Sequence, residues 1–207
     1  MADRDNRSFW QRVAGIYGGS VKRSSGRLYE AICARIRPHL TQNMCVLELA
    51  CGTGQLTYPL TGSVALWEAT DLSENMIVEA SRWPHSRRLR FSVQDAKNLP
   101  YEHDTFDVVI ISNALHVMTR PELALREARR VLRPGGLLFA PTYVHGGVKR
   151  RRPRLWLMKR AGFQVYQAWT GGEFMAFIEN GGFTIEDATL LPDGIAPVCY
   201  VMARNTK

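Results

Sequence analysis

The sequence predicts an α/β domain built on a doubly wound, mostly parallel sheet. Short apolar segments alternate with segments of helical periodicity along most of the chain, as in folds that repeat a strand–helix unit. Residues 106–111 form an apolar run typical of a central parallel strand that is buried on both faces. A strand at 44–49 leads directly into a glycine-containing turn, the kind of turn at which such sheets bind ligands.

The composition agrees with a single domain. The 207 residues, 45% of them hydrophobic, can bury a full core, and no apolar run approaches the roughly 18 residues that span a bilayer. The four cysteines lack zinc-type spacing, so we expect reduced thiols and no metal site. The first residues contain no apolar stretch of the secretion-signal type, which predicts a cytoplasmic location.

The net charge of +8 is concentrated in one segment. Residues 149–160 carry seven basic side chains and no acidic one, so 8 − 7 leaves +1 for the other 195 residues. Such a run is typical of a solvated loop, but it also suits an anionic membrane surface or an RNA. The basic character is therefore a local feature of this chain.

The first forty residues are predicted to form helices that cover a ligand site. Apolar residues recur at three- and four-residue steps from Phe9 to Tyr17. Residues 18–20, Gly-Gly-Ser, are predicted to interrupt this helix. A second helix then begins near Leu28 and closes at Pro38.

Strands and helices then alternate to the end of the chain. Strands are predicted to end at Asp71, Val93 and Ile111, and the last two strands, 183–191 and 196–203, are predicted to pair as an antiparallel hairpin. We therefore divide the single domain, 1–207, into four parts: N-terminal helices (1–40), a ligand-binding half (44–143), a basic cap segment (144–170), and a C-terminal helix with the hairpin (171–207).

The most informative motif follows the first strand. Residues 48–54 read Glu-Leu-Ala-Cys-Gly-Thr-Gly, and glycines in such a turn let a ligand approach the backbone. A dinucleotide fingerprint requires a third glycine, but Thr57 occupies that place. Glu48 lies in a strand that should be buried, which is costly for a carboxylate unless it meets hydrogen-bond donors or a cation.

This run resembles motif I of the class I S-adenosylmethionine (SAM)-dependent methyltransferases. That family usually has three alternating glycines after the acidic residue, and Ala50 replaces the first of them. Five ordered motifs extend the resemblance over residues 44–203. It implies a seven-stranded Rossmann-like methyltransferase fold and SAM as the cofactor. The first helix is similar to that of the quinone-biosynthesis and related small-molecule branch, which implies that Tyr17 lies near the cofactor; a core aromatic is the alternative.

The resemblance assigns cofactor contacts to the loops that follow the strands. The first loop supplies Glu48, Ala50, Gly52 and Gly54. Asp71, nineteen residues beyond Gly52, is expected to accept hydrogen bonds from both ribose hydroxyls, with simple helix capping by Asp71 or Ser73 as the alternative.

Three further parts of the cofactor site are expected near the adenine and the reacting end. The resemblance implies that Leu72 and Met76 contact the adenine. Asp95 and Ala96 are expected to bind its amine and a ring nitrogen, although aspartate is also common in plain turns. Asn113 completes the set at the carboxyl end of the central strand, where open α/β sheets place their chemistry.

The expected activity is methyl transfer to an oxygen, nitrogen or sulfur atom of a small or lipid-like acceptor. His116 is the candidate general base because its ordinary pKa lies near neutrality, and a histidine that packs or faces solvent is the alternative. Two other functions stay open. One is an RNA methyltransferase that uses residues 149–160, and the other is a protein that binds SAM without turnover.

Overall fold

Eight strands form one sheet in the computed structural model, which describes residues 6–84, 86–145, 160, 162–194 and 196–207. The strands are β1 (Cys45–Leu49), β2 (Leu66–Asp71), β3 (Leu89–Val93), β4 (Phe106–Ile111), β5 (Leu132–Phe139), β6 (Thr142–Tyr143), β7 (Phe183–Leu191) and β8 (Val198–Asn205). The α-helices in the described part are α1 (Arg7–Ile36), α2 (Thr57–Leu60), α3 (Glu74–Ser81), α4 (Pro121–Val131) and α5 (Gly171–Asn180).

The sheet is doubly wound, as predicted. Its strand order is β3-β2-β1-β4-β5-β8, and β6 and β7 also pair with β8. Strands β1 to β5 pair in parallel, whereas β8 is antiparallel to all of its partners. The chain builds outward from β1 to β3 and then returns to the other side at β4. The carboxyl ends of β1 and β4 therefore flank the point at which such sheets bind ligands.

The eighth strand arises because Pro141 interrupts one of the seven expected strands. β7 pairs along one edge of β8 over residues 198–205, so β5 and β6 must share the other edge. β5 pairs with residues 202–204, and β6 pairs with residues 198–199. Proline has no N–H to donate to a ladder, so pairing with β8 is interrupted at Pro141, between β5 and β6. β6 thus continues the line of β5, and the sheet keeps seven strand positions plus the predicted C-terminal hairpin.

The core lies on both faces of β4, as its apolar sequence predicts. Val108 and Ile110 pack into a cluster with the second half of α1 and with α2. Val109 and Ile111 pack on the opposite face against α4 and α5. All four side chains are fully buried. This two-sided burial fixes the position of the loop that follows β4.

Helix α1 does not break at residues 18–20, in contrast to the prediction. It kinks instead at Ser25, whose backbone leaves the helical region (φ −134°, ψ 17°). The Ser25 hydroxyl donates to the carboxylate of Asp193, 3.4 Å away in the turn between β7 and β8. Glycine weakens a helix by about 1 kcal/mol but does not forbid one. The kink coincides both with the Ser25-Gly26 pair, a sequence at which helices often kink, and with this contact between distant parts of the chain.

The start of α1 is anchored to the loop region after β4. The Asn6 side chain donates to the carbonyl oxygens of Val117 and Gln164, at 3.1 and 3.0 Å, and accepts the Gln164 N–H at 2.6 Å. Phe9 is buried against Val117 and Phe163. These contacts hold the start of α1, and the Ser25–Asp193 hydrogen bond holds it at the kink.

Most element boundaries agree with the sequence analysis. β4 and β7 begin and end at the predicted residues. Helix α2, which follows the first loop, is only one turn long. The hairpin strand β8 lies two residues later than expected.

The structure does not test two predictions, the binding role of the basic run and the cytoplasmic location. Most of the basic run, 149–160, is not described, so its contact with a membrane or an RNA stays a prediction. Within the described ranges, no helix has the length and apolar character that crossing a membrane requires. The cytoplasmic location likewise stays a prediction.

Candidate active site

A pocket opens at the carboxyl edge of the sheet, where β1, β2, β3 and β4 end. We call it the edge pocket. The empty space within it, with its open mouth included, is about 890 Å³. From the first two loops, the sequence-predicted residues that line it are Glu48, Ala50, Gly52, Asp71, Leu72 and Met76. From the other loops and α1, they are Asp95, Ala96, Asn113 and Tyr17.

The first loop shapes the floor of the edge pocket through left-handed backbone conformations. Gly52 has φ 57°, and a Cβ there would lie 3.4 Å from Gln55 Oε1 and 3.7 Å from Tyr17 Cε1. Gly54 has φ 87°, but its Cβ would point at the ring of Tyr58, only 2.9 Å away. Gly54 is not among the pocket-lining residues. Its glycine is required by the turn and by the packing of Tyr58, and not by the pocket.

Ala50 adopts the same left-handed conformation as the glycines, with φ 56°. For a residue with a Cβ, this conformation costs roughly 1–2 kcal/mol. Alanine therefore replaces the usual glycine without changing the path of the loop, but the loop stores strain at this position.

Glu48 is buried at the end of β1 and is only 2% exposed. Its Oε2 atom accepts hydrogen bonds from Thr57 Oγ1 at 2.6 Å and from Trp67 Nε1 at 2.9 Å. Burial raises the pKa of Glu48 to about 7, and the nearby Asp71 carboxylate adds to this rise. Thr57, which stands where a dinucleotide site would have its third glycine, is thus a partner of the buried carboxylate.

Asp71 joins the first loop to the second. Its Oδ2 atom accepts the Gly52 N–H at 3.0 Å, and its Oδ1 atom accepts the Ser73 N–H at 2.9 Å. The N-cap of α3 is Ser73, whose hydroxyl accepts the Met76 N–H at 3.3 Å, so capping does not require Asp71. The Leu72 N–H is a third backbone donor to this carboxylate, which offers about four acceptor positions, so acceptor capacity remains for a ligand. Burial raises the pKa of Asp71 to about 6.

The third loop carries a more exposed carboxylate. Asp95 accepts the Lys97 N–H at 3.0 Å, and its side chain is 43% exposed. The loop is held against the second one because the Gln94 N–H donates to the Asp71 carbonyl oxygen at 3.0 Å. The Asp95 carboxylate therefore lies on the rim of the edge pocket with room for a ligand.

A hydrogen-bonded pair of tyrosines from α1 faces the loop after β4. Asn113, in a left-handed conformation with φ 53°, donates through Nδ2 to the Tyr29 hydroxyl at 3.3 Å. Tyr29 also hydrogen-bonds to Tyr17. Burial raises the pKa of both tyrosines, so their hydroxyls stay protonated near neutral pH.

Polar atoms at this end of the edge pocket have no protein partner within the described ranges. They are Oδ1 of Asn113 and Oγ of Ser112, both buried. Buried polar atoms are normally hydrogen-bonded, and an exception in a pocket indicates a ligand contact. This end of the edge pocket can therefore bind a polar group of a ligand.

The structure places His116 outside the edge pocket lining, in contrast to its predicted role as a general base. The side chain is only 4% exposed and lies beside the rings of Tyr143 and His145, with centroids 5.8 and 5.9 Å away. Burial, with a smaller effect of His145, lowers the pKa of His116 to about 3. An imidazole with this pKa is a poor proton acceptor near neutral pH. The alternative that His116 is a packed histidine fits the geometry better.

Several pocket residues were missed by the sequence analysis. Gln55 and Gln94 are adjacent to the motifs, so proximity to a motif could have identified them. Trp10 and Tyr29 come from α1, and Tyr29 is 84 residues from its partner Asn113. No local pattern marks them. Among the described residues, no group of three or more His, Cys, Asp or Glu side chains could hold a metal ion.

Sequence comparison shows that the segment carrying the edge-pocket loops is similar to known methyltransferases. The methyltransferase domain family matches residues 47–140. A 116-residue stretch is 37% identical to the ubiquinone/menaquinone biosynthesis C-methyltransferase of Roseobacter denitrificans and covers 53% of this chain and 46% of that protein. A 92-residue stretch is 41% identical to the demethylmenaquinone methyltransferase of Clavibacter sepedonicus, covering 44% and 38%. The chain spans less than half of the length of these curated relatives.

A solved structure extends the likeness to the whole fold. It is a chain of the complex between the Haloferax volcanii Trm112 methyltransferase activator and a methyltransferase. The TM-score is 0.80 at 17% identity, and the match covers 96% of this chain and 98% of that chain. Residues 47–140 therefore match a methyltransferase domain, and the chain as a whole shares the fold of solved methyltransferase structures. This domain and fold imply SAM as the cofactor, as predicted from the motifs.

The lining of the edge pocket fits the chemistry of SAM. Gly52 presents backbone without a side chain to the pocket, and the Asp71 carboxylate lines it as an acceptor for hydroxyl groups. The buried Glu48 carboxylate favours a cationic ligand, because a nearby positive charge stabilises its ionised form. These features of the described residues are independent of the sequence comparison.

We predict that Ala50→Gly stabilises the protein by about 1 kcal/mol, because it releases the strain of a left-handed alanine. Most alanine-to-glycine changes do the opposite. Ala80→Gly, in the buried face of α3, is the matched control and should cost about 1 kcal/mol. Urea unfolding of both variants measures the difference, and a destabilised Ala50→Gly protein would contradict the strain.

We also predict that Glu48 makes the stability of the ligand-free protein pH-dependent. Its pKa is raised on folding from an ordinary value of 4.5 to about 7, so its stabilising contribution is complete below 4.5 and is lost as pH rises through 7. The parent should lose on the order of 3 kcal/mol relative to Glu48→Gln over this range. Unfolding free energies of the two proteins between pH 4 and 8 test this, and parallel pH profiles would refute it.

Proposed function

We propose that this protein transfers the methyl group of SAM to a carbon atom of a small, lipid-like hydroquinone. The observation that carries the proposal is the convergence of four strand-end loops and two α1 tyrosines on the edge pocket. The names of the curated relatives, a quinone-biosynthesis C-methyltransferase and a demethylmenaquinone methyltransferase, support the acceptor class. They favour carbon over the oxygen, nitrogen or sulfur atom expected from the sequence.

The residues of the first three loops are suited to orient the cofactor. SAM supplies an electrophilic methyl group on a sulfonium. Asp71 would hold the ribose, Asp95 and Ala96 the adenine edge, and Leu72 and Met76 the adenine face. Glu48 would balance the positive charge of the ligand from beneath the loop. Holding the donor in line with the acceptor is the largest contribution such a site can make.

The other end of the edge pocket is suited to an acceptor with a phenolic oxygen. Tyr29 accepts a hydrogen bond from Asn113, and a phenol that accepts in this way can still donate its own O–H. A hydrogen bond donated to a phenolate favours the ionised form and lowers its pKa. The ionised oxygen makes the neighbouring ring carbon nucleophilic. Tyr29 would thus activate the acceptor without a histidine base.

Methyl transfer to carbon conserves atoms and charge in a simple way. The electron pair of the ring carbon forms the new C–C bond as the S–C bond of the donor breaks, giving a thioether. The proton on the methylated carbon then leaves to solvent, which restores the aromatic ring. The protein residues near this end supply hydrogen bonds and exclude water, and His116 takes no part in the proton transfer.

The role of Asp71 in cofactor binding yields a prediction. Asp71→Asn should weaken SAM binding about ten- to a hundredfold, because charge-assisted hydrogen bonds are worth roughly 1.5–3 kcal/mol. Ser73→Ala is the matched control in the same loop. It should lower stability by about 1 kcal/mol through the lost N-cap but leave SAM affinity within about threefold. Calorimetric titration and thermal melting separate the two effects, and equal SAM affinity of parent and Asp71→Asn would contradict the ribose contact.

The proposed reaction is tested directly with a methyl-labelled donor. The protein is incubated with ¹³C-methyl SAM and a 1,4-naphthohydroquinone that carries a prenyl side chain and an unsubstituted ring carbon. We expect the label on that ring carbon, with Tyr29→Phe at least about tenfold slower. Label on an oxygen, or no product from folded protein that binds SAM, would refute carbon methylation of this acceptor class.

A further inference from the structure

A second cavity lies between α1 and the short helices that follow β1 and β2. We call it the helix groove. It encloses about 2000 Å³ with its open side included, and it is larger than the edge pocket. Glycines 15, 19 and 26 of α1 form one wall, and Tyr58 and Pro59 of α2 form the other. The wall residues are mostly apolar, and Glu30, Arg37 and Glu79 add charge among them.

The helix groove adjoins the edge pocket. Tyr29 and Gln55 line both cavities. Tyr29 is the residue that hydrogen-bonds to Asn113 at the other end of the edge pocket. A molecule with a polar ring against Tyr29 therefore has the helix groove directly beside that ring.

The width of the helix groove comes from glycines that the backbone does not need. A Cβ at Gly19 or Gly26 would meet no described atom within 4 Å, and neither residue has a left-handed φ. Glycine within a helix is less favourable than alanine by about a factor of five in equilibrium constant. At these two positions the sequence thus accepts a less stable helix, and no described side chain occupies the space beside them.

The far end of the helix groove is marked by an exposed aromatic residue. Trp83, which follows α3, lines the groove and is 68% exposed, an unusually open position for a side chain of this size. Pro84 lies next to it. The cavity therefore offers an apolar surface from the solvent rim to Tyr29.

We propose that the helix groove binds the hydrocarbon tail of the methyl acceptor, with the acceptor ring in the edge pocket. This inference rests on the proposed function. The tail would be an isoprenoid or acyl chain, because the groove is long, apolar and lined by small residues. Each buried methylene is worth about fourfold in affinity. The helix groove would thus set the preference of the enzyme for tail length.

The test introduces larger side chains into the helix groove by substitution. Gly26→Leu and Gly19→Leu place an isobutyl group in the groove at positions where a side chain meets no described atom. Gly172→Leu is the matched control, since Gly172 also lies in a helix with no described atom near its Cβ but does not line the groove. Thermal melting shows whether each variant is folded, and SAM affinity should be unchanged in all three.

Acceptors of two tail lengths provide the readout. They are 1,4-naphthohydroquinones with one or four isoprene units. The parent should have a kcat/KM at least about tenfold higher for the longer tail, carried mainly by KM. Gly26→Leu and Gly19→Leu should remove most of this advantage and leave the short acceptor within about threefold. Gly172→Leu should match the parent. The proposal would be overturned if Gly26→Leu and Gly19→Leu lowered kcat/KM equally for both tail lengths, or if the folded variants matched the parent.

A binding measurement separates this inference from the proposed function. The methylated quinone products of both tail lengths are titrated into protein loaded with S-adenosylhomocysteine, which requires no turnover. Tighter binding of the long-tailed product, lost in Gly26→Leu, supports the tail site even if the parent methylates neither acceptor. Equal binding of both products by the parent would refute the tail site even if methyl transfer to carbon is observed.

Discussion

The site depends on the hydrogen bonds that the Asp71 carboxylate accepts from two loops. One of its oxygens accepts the N–H of Gly52 in the first loop, and the other accepts the N–H of Ser73 in the second. These loops follow neighbouring parallel strands, β1 and β2, whose pairing brings their carboxyl ends together. The third loop joins through the carbonyl of the same aspartate. One residue thus sets the distance between three loops and still presents acceptor positions to a ligand.

Two buried carboxylates give this site its chemical character. Burial raises the pKa of Glu48 and of Asp71, and the Asp71 carboxylate raises the pKa of Glu48 further. The hydrogen-bond donors to Glu48, Thr57 and Trp67, and the backbone N–H donors to Asp71 only partly offset the cost of burying these charges. A ligand that brings hydroxyl donors and positive charge relieves what remains. The site is therefore better matched to a sulfonium nucleoside than to an anionic dinucleotide.

Helix α1 converts an open sheet edge into a covered site. It is anchored at Asn6, kinked at Ser25 and buried in the core beyond the kink. It carries Tyr17, before the kink, and Tyr29, beyond it, to the edge pocket. The same helix borders the helix groove, so the proposed ring and tail sites share one structural element.

The sequence by itself determined the strands, the order of the loops and about half of the residues around the edge pocket. These features are encoded locally, by a buried apolar run and by the few residues that follow it, as for Glu48 to Gly52 and for Asp71. Only the tertiary structure decided the contact of Tyr29 with Asn113, the exclusion of His116 from the pocket lining, and the helix groove. Each of these depends on segments far apart in the chain that folding brings together, and no local pattern of residue types records such a pairing.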